Sequence, residues 1–264
     1  MLPSDAVSSI SPTAALLAEP PSEHLPAGIA RFDDAQRRTI AYTRDVLRRL
    51  EAGMSERDIY ELVETRREAH GFTTWYHHPE VRVGGRGFGP LAWPSSRRRL
   101  AAGDLFTLDL APADADAYGD FGTTTIFAAS EAPPVVEVAR TCTRAVCGYA
   151  SRHKTIGELF VFAQAWAINH RMKLANRRAM GHRVIEREGL WVTGFPRSAH
   201  YGTLLARNRV HRLNPVRLSG MFAIRPEVIH DGRVAAFEEI LYIHEGVKRV
   251  LGRGTLAEVG TLGE

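Results

Sequence analysis

Hydrophobic residues recur with a helical period through "FDDAQRRTIAYTRDVLRRLEAG", from Phe32 to a C-capping Gly53. Ser55 opens a second helix, "SERDIYELVETRREAHG", with an acidic residue three positions on in the manner of a capping box. The pattern then changes period. "FTTWYHHPEVRVGG" alternates and is rich in β-branched and aromatic residues, which predicts a strand. Residues 104–128 predict a hairpin, 133–151 and 156–174 two helices. Short strands follow in "HRVIE", "LWVTGF", "RLSGMFAIRPEV" and "AFEEILYIHEG". Residues 1–28 are rich in Pro, Ser and Ala without a sustained period and are expected to form an arm, packed on a partner subunit or free. Residues 29–264 show no repeat and no second compositional regime, so one α+β domain is expected.

Composition removes several function classes. At 264 residues and 44% hydrophobic, the chain can bury a sizeable core. No apolar run approaches the ~18 residues needed to span a bilayer, and the N-terminus lacks the pattern of a signal peptide. Cys142 and Cys147 fit neither a disulfide framework nor a zinc spacing. A soluble, cytoplasmic protein is the expectation. The net charge of +4 is mild, and the arginine runs at 95–100 and 176–183 lack the interleaved aromatics of nucleic-acid binders. Neither a nucleic acid nor a membrane is expected as a partner.

The candidate chemistry begins in "FTLDLAPADADAYGDFGTTTIF". Two apolar runs each carry an aspartate near the turn, Asp109 and Asp120. A two-residue turn at Asp114 and Ala115 would set Asp109 opposite Asp120, with Cβ atoms about 4.5–5.5 Å apart. Two buried carboxylates that close require a cation between them, a shared proton, or an arginine.

With its "GD" before the first strand and its spacing of eleven between the aspartates, this hairpin resembles that of the methionine aminopeptidase, Xaa-Pro dipeptidase and creatinase family. "MGHRV", "SGMFAIRPEV" and "AAFEEILYIHEG" are similar to three further landmarks of that family, in the same order, and the likeness runs over roughly residues 32–252. The resemblance implies a pita-bread fold and a hairpin that binds a pair of divalent ions. It also implies a histidine ligand at His182 and a bridging glutamate at Glu238. Three positions depart from the family. Arg225 stands where a glutamate ligand is expected, Ala92 where a catalytic histidine is expected, and Arg197 (or nearby His200) where a second histidine is expected. A guanidinium stays protonated and cannot ligate a metal.

The expected site is therefore Asp109, Asp120, His182 and Glu238 as catalytic groups, which would also be the ligands of any retained ion. Arg225, Arg197, His78 and Trp93 are expected to contact substrate. Alternation turns the adjacent His77 and His78 to opposite faces, and His78 is assigned to the pocket. The expected cofactor is none, or a single divalent metal (Mn, Fe, Co or Zn). Creatinase, within the resembled family, breaks a C–N bond by acid/base chemistry without metal. The same is expected here on a small amino-acid-like or amide substrate, by hydrolysis, elimination or cyclisation, in a homodimer. Alternatives are a metal-dependent Xaa-Pro-type peptidase and a non-catalytic binding protein on the same fold.

Overall fold

In the computed structural model, residues 25–85, 94–95, 97–129, 131–175, 179–184, 209–245 and 247–252 are described. Helix α1 (Ala27–Arg48) starts behind Pro26, inside the segment expected to be an arm, and stops short of Gly53. Its buried stripe runs through Ile29, Phe32, Gln36, Ile40, Thr43 and Val46. The chain turns away at Arg49, and the Gly53 N–H donates to Leu100 O instead of closing the helix. Helix α2 (Glu56–Arg66) has the expected capping box, Ser55 and Asp58 each accepting from the other's backbone N–H.

Strand β1 (Thr74–Val83) pairs antiparallel with β2 (Leu105–Ala113), and β2 with β3 (Phe121–Ile126). Helices α3 (Pro134–Tyr149) and α4 (Ile156–Asn169) follow, the second capped by Thr155 and Glu158. Helix α4 ends earlier than its apolar pattern suggests, because Lys173–Leu174 leave as strand β4. The short strands are β5 (Gly181–Val184), β6 (Gly220–Ile224), β7 (Glu227–His230), β8 (Arg233–Ala236), β9 (Glu239–His244) and β10 (Val247–Val250). They form two further sheets, ordered β10-β9-β6-β5 and β4-β7-β8. The expected strand "LWVTGF" lies outside the described residues.

Two apolar clusters hold these layers together. One packs α3 and α4 on Phe222, Phe237 and Leu241; the other packs α1 and α2 on Phe106, Leu108 and Tyr242. Helices α1 and α2 thus pack on the β1–β3 sheet, and α3 packs on β6, β7 and β8. The site lies where the hairpin meets β5, β6 and β9, joined by the Glu238 N–H to Gly122 O bond and the Thr123–Phe237 bridge.

The hairpin register differs from expectation by two residues. Asp109 faces Gly122, and the last bridge is Ala113–Tyr118, so the loop is longer than two residues. Asp114 is the cause. Its carboxylate accepts from the N–H groups of Asp116 and Ala117 and binds Arg38, which organises a wider turn. A shift of two leaves each side chain on its original face of the sheet, so Asp109 and Asp120 still point the same way.

Candidate active site

Five residues singled out by the sequence converge on one buried point. Asp109 comes from the middle of β2 and Asp120 from the entry to β3. His182 lies on β5, Arg225 just after β6, and Glu238 just before β9. Gln36 of α1 pins Asp120 by both backbone groups, accepting from its N–H at 2.7 Å and donating to its carbonyl at 2.9 Å. Gly122, opposite Asp109, leaves room for a carboxylate: a Cβ there would sit 3.1 Å from Glu238 Oε2. Gly181 sets the direction of His182. Its φ is +136°, and a Cβ would lie 2.0 Å from Ala223 O, a backbone atom that cannot give way. Gly181→Ala is expected to cost at least about 2–3 kcal/mol in denaturant unfolding and to displace the His182 ring.

The guanidinium of Arg225 is the centre of the cluster. Its Nη1 donates to Asp109 Oδ2 at 2.7 Å, Nη2 lies 3.6 Å from Glu80 Oε2, and Nε lies 3.7 Å from Glu238 Oε2. Burial disfavours its charge, but Asp109, Glu238 and Glu80 outweigh burial and raise its pKa further. His182 Nε2 is 3.0 Å from Asp120 Oδ2. His77 Nε2 lies 3.5 Å from Asp120 Oδ1 and 3.9 Å from Asp109 Oδ1. Among the described residues, Asp109 Oδ1, Asp120 Oδ1 and Glu238 Oε2 are buried without a hydrogen-bond partner.

The environment separates the carboxylates. Burial raises Asp120, yet the His182 hydrogen bond and the close His77 and His182 rings bring it below the usual carboxylate range. Burial pushes Glu238 well up, and the charges of Asp120 and Asp109 push it further. Burial likewise raises Glu80 to about 7, with Asp109 adding to it and Arg225 and Arg82 opposing. Burial would lower His77, but Asp109 and Asp120 prevail and raise it to about 10.

Two of the expected substrate contacts have other neighbours in the structure. His78 is exposed, with its ring against the Tyr60 hydroxyl at 3.5 Å, and His77 holds the inner place instead. The β1–β2 pairing shifts register on both sides of His77, so simple alternation fails there. Arg225, expected to grip substrate, is engaged by three acids. Arg197, Trp93, Ala92 and His200 lie outside the described residues. Nothing in the sequence marks Glu80. It faces Asp109 across the ladder and contacts Arg82, yet a lone glutamate in a strand reads as solvent-facing. Tyr76 stacks on the buried Tyr118 with centroids 4.1 Å apart and lies 5.6 Å from the His182 ring.

Comparison with known proteins places this geometry. A scan against protein-family models matches Metallopeptidase family M24 over residues 30–245. The chain belongs to that family. Its fold is shared with solved M24-type structures. Prolidase from Pyrococcus furiosus superposes with a TM-score of 0.69 at 17% identity, covering 87% of this chain and 64% of that one. X-Pro aminopeptidase from Thermotoga maritima gives 0.67 at 17%, covering 85% and 60%. Methionine aminopeptidase from Thermotoga maritima gives 0.66 at 18%, covering 86% and 97%. The chain therefore spans about three fifths of the length of the first two. The search of curated proteins finds no match. The expected α+β pita-bread fold is thus the one observed. Among the described residues, no helix is long and apolar enough to cross a membrane.

Membership of M24 implies divalent metal, and the donors can be tested for it. Two overlapping sets have ligand atoms within 4.8 Å of one another: His77, Asp109 and Asp120, and Asp120, His182 and Glu238. Either set fits one divalent ion bound through imidazole and carboxylate, and the orphaned carboxylate oxygens suit such an ion. The glutamate ligand that the family resemblance implies at position 225 is replaced by a guanidinium.

Proposed function

We propose that this M24 chain hydrolyses a C–N bond in a small amino-acid-like or amide substrate, with Arg225 standing in for a second metal ion. The Arg225–Asp109 hydrogen bond at 2.7 Å carries this reading, together with the approach of Arg225 to Glu238. With Glu80 offset by Arg82, Asp109, Asp120 and Glu238 against the Arg225 guanidinium leave two negative charges. One divalent ion cancels them, and so does one proton each on His77 and Glu238. Two divalent ions would leave the pocket positively charged. A metal-free or mononuclear site follows. The orphaned oxygens of Asp109 and Asp120 favour the mononuclear form.

Asp120 Oδ2 accepts from the His182 Nε2–H, which makes His182 a positioning group and the Asp120 carboxylate the acceptor for a proton from an attacking water. Glu238, held protonated by burial and its acidic neighbours, is placed to give a proton to the leaving nitrogen. A divalent ion, held by one of the two donor sets, would lower the pKa of a bound water and polarise a carbonyl. Tyr76, exposed beside the His182 ring and backed by Tyr118, offers an aromatic face to the substrate. On this proposal residues 29–264 form one catalytic domain of a cytoplasmic homodimer, both inferences from the sequence.

The test is turnover of a panel of amino-acid amides, Xaa-Pro dipeptides and N-terminal Met peptides, with the bound metal counted in each preparation. Cleavage of short C–N substrates with no more than one ion per chain is expected. Activity seen only with two ions per chain overturns the proposal.

A further inference from the structure

We infer that His77 is a metal ligand of this chain, holding one divalent ion with Asp109 Oδ1 and Asp120 Oδ1. This rests on the mononuclear form of the site and names where its ion sits. Three observations meet at that position. The ring Nε2 of His77 faces both Oδ1 atoms, at 3.9 and 3.5 Å. Those two oxygens, on side chains only 2% and 0% exposed, have no hydrogen-bond partner among the described residues. The other ring nitrogen, Nδ1, is 2.9 Å from the His78 carbonyl. A carbonyl can only accept, so Nδ1 keeps its proton, and an ion that displaces the Nε2 proton meets that nitrogen's lone pair between the carboxylates. That is the arrangement by which outer carbonyls orient metal-binding imidazoles.

The competing donor set is already spoken for. Asp120 Oδ2 is bonded to His182 Nε2 at 3.0 Å, and the free oxygen of Glu238 faces Arg225 at 3.7 Å. An ion there would have to break the first contact and sit beside a fixed positive charge. An ion at His77 replaces only the longer His77 approach to the two aspartates, keeps the Asp120–His182 and Arg225–Asp109 hydrogen bonds, and leaves Glu238 for proton transfer. Strand β1 therefore supplies the ligand that position 225 no longer does.

The experiment titrates Co²⁺ into chelator-treated protein, following stoichiometry, visible absorption and hyperfine-shifted ring N–H signals. One Co²⁺ per chain is expected, with a shifted, exchangeable N–H from His77. His77→Ala should lower Co²⁺ affinity about 100-fold or more, while His78→Ala leaves it unchanged and His182→Ala changes it far less. The N–H signal of the unaltered protein keeps the test sound should His77→Ala fold poorly. One Co²⁺ lost on His182→Ala but kept on His77→Ala overturns the assignment and leaves the mononuclear reading intact. No Co²⁺ binding overturns the assignment and leaves the metal-free form. Two Co²⁺ per chain overturns the mononuclear reading itself.

Discussion

Arg225→Ala is expected to destabilise the metal-free protein by about 3–5 kcal/mol, read by urea unfolding at neutral pH with chelator present. The loss follows from what the guanidinium touches. Without it, Asp109 Oδ2 has no partner at 2.7 Å, and Glu238 and Glu80 lose the cation that lies 3.7 and 3.6 Å away. Removing one member of a buried charged group costs far more than the group's net contribution, because the remaining charges cannot be resolvated. Two companion results should appear. Adding a divalent ion should restore part of the lost stability, since the emptied place is ringed by carboxylates. Arg225→Lys should fall between the two, because an ammonium keeps the charge but not the planar fork that reaches three acids. A loss below about 1 kcal/mol, the range of an exposed pair, would show that Arg225 does not balance the cluster.

The second large effect is on the pH dependence of stability, again in the metal-free protein. Folding raises His77 from 6.5 to about 10, so the folded state holds that proton more tightly than the unfolded chain does. Its contribution is complete below pH 6.5 and disappears as the pH rises through 10. Glu80 acts in the same direction at lower pH. Its rise from 4.5 to about 7 favours the protonated carboxyl in the fold, a contribution complete below 4.5 and lost through 7. Stability should therefore decline steadily from mildly acid to alkaline pH, with His77 accounting for a change on the order of 2–4 kcal/mol. His77→Ala should flatten the upper part of the curve and leave the lower part. Parallel curves for the two proteins between pH 7 and 10 would mean that the Asp109 and Asp120 charges do not bear on His77.

Much of this site could be read from the chain before its structure. Apolar runs around "PADADAYG" mark the hairpin, and period two keeps Asp109 and Asp120 on one face even though Asp114 lengthens the turn and moves the register by two. The capping box at Ser55 locates one helix start, whereas α1 and α4 end where the following chain departs, which depends on tertiary contacts such as Gly53 to Leu100. His182, Arg225 and Glu238 were found through family likeness. Nothing local announces that residues so far apart in sequence will meet.

What stayed hidden depended on strand irregularity and on charge in unexpected places. In "HHPEVR" strict alternation gives no means of choosing between the two histidines, and the register shifts around His77 are invisible without the partner strand. Glu80 reads as a solvent-facing strand residue until Arg82, Arg225 and Asp109 are placed around it. Both lie on β1, the strand whose contribution to the chemistry the sequence concealed most.

The most direct measurement counts divalent ions per chain in the unaltered protein and in Arg225→Glu, each equilibrated with excess metal and then freed of loosely held ions. With the guanidinium occupying one metal position, the unaltered protein should retain no more than one ion, and the glutamate variant should retain one more. Two tightly held ions in a chain that still carries Arg225 would contradict that placement.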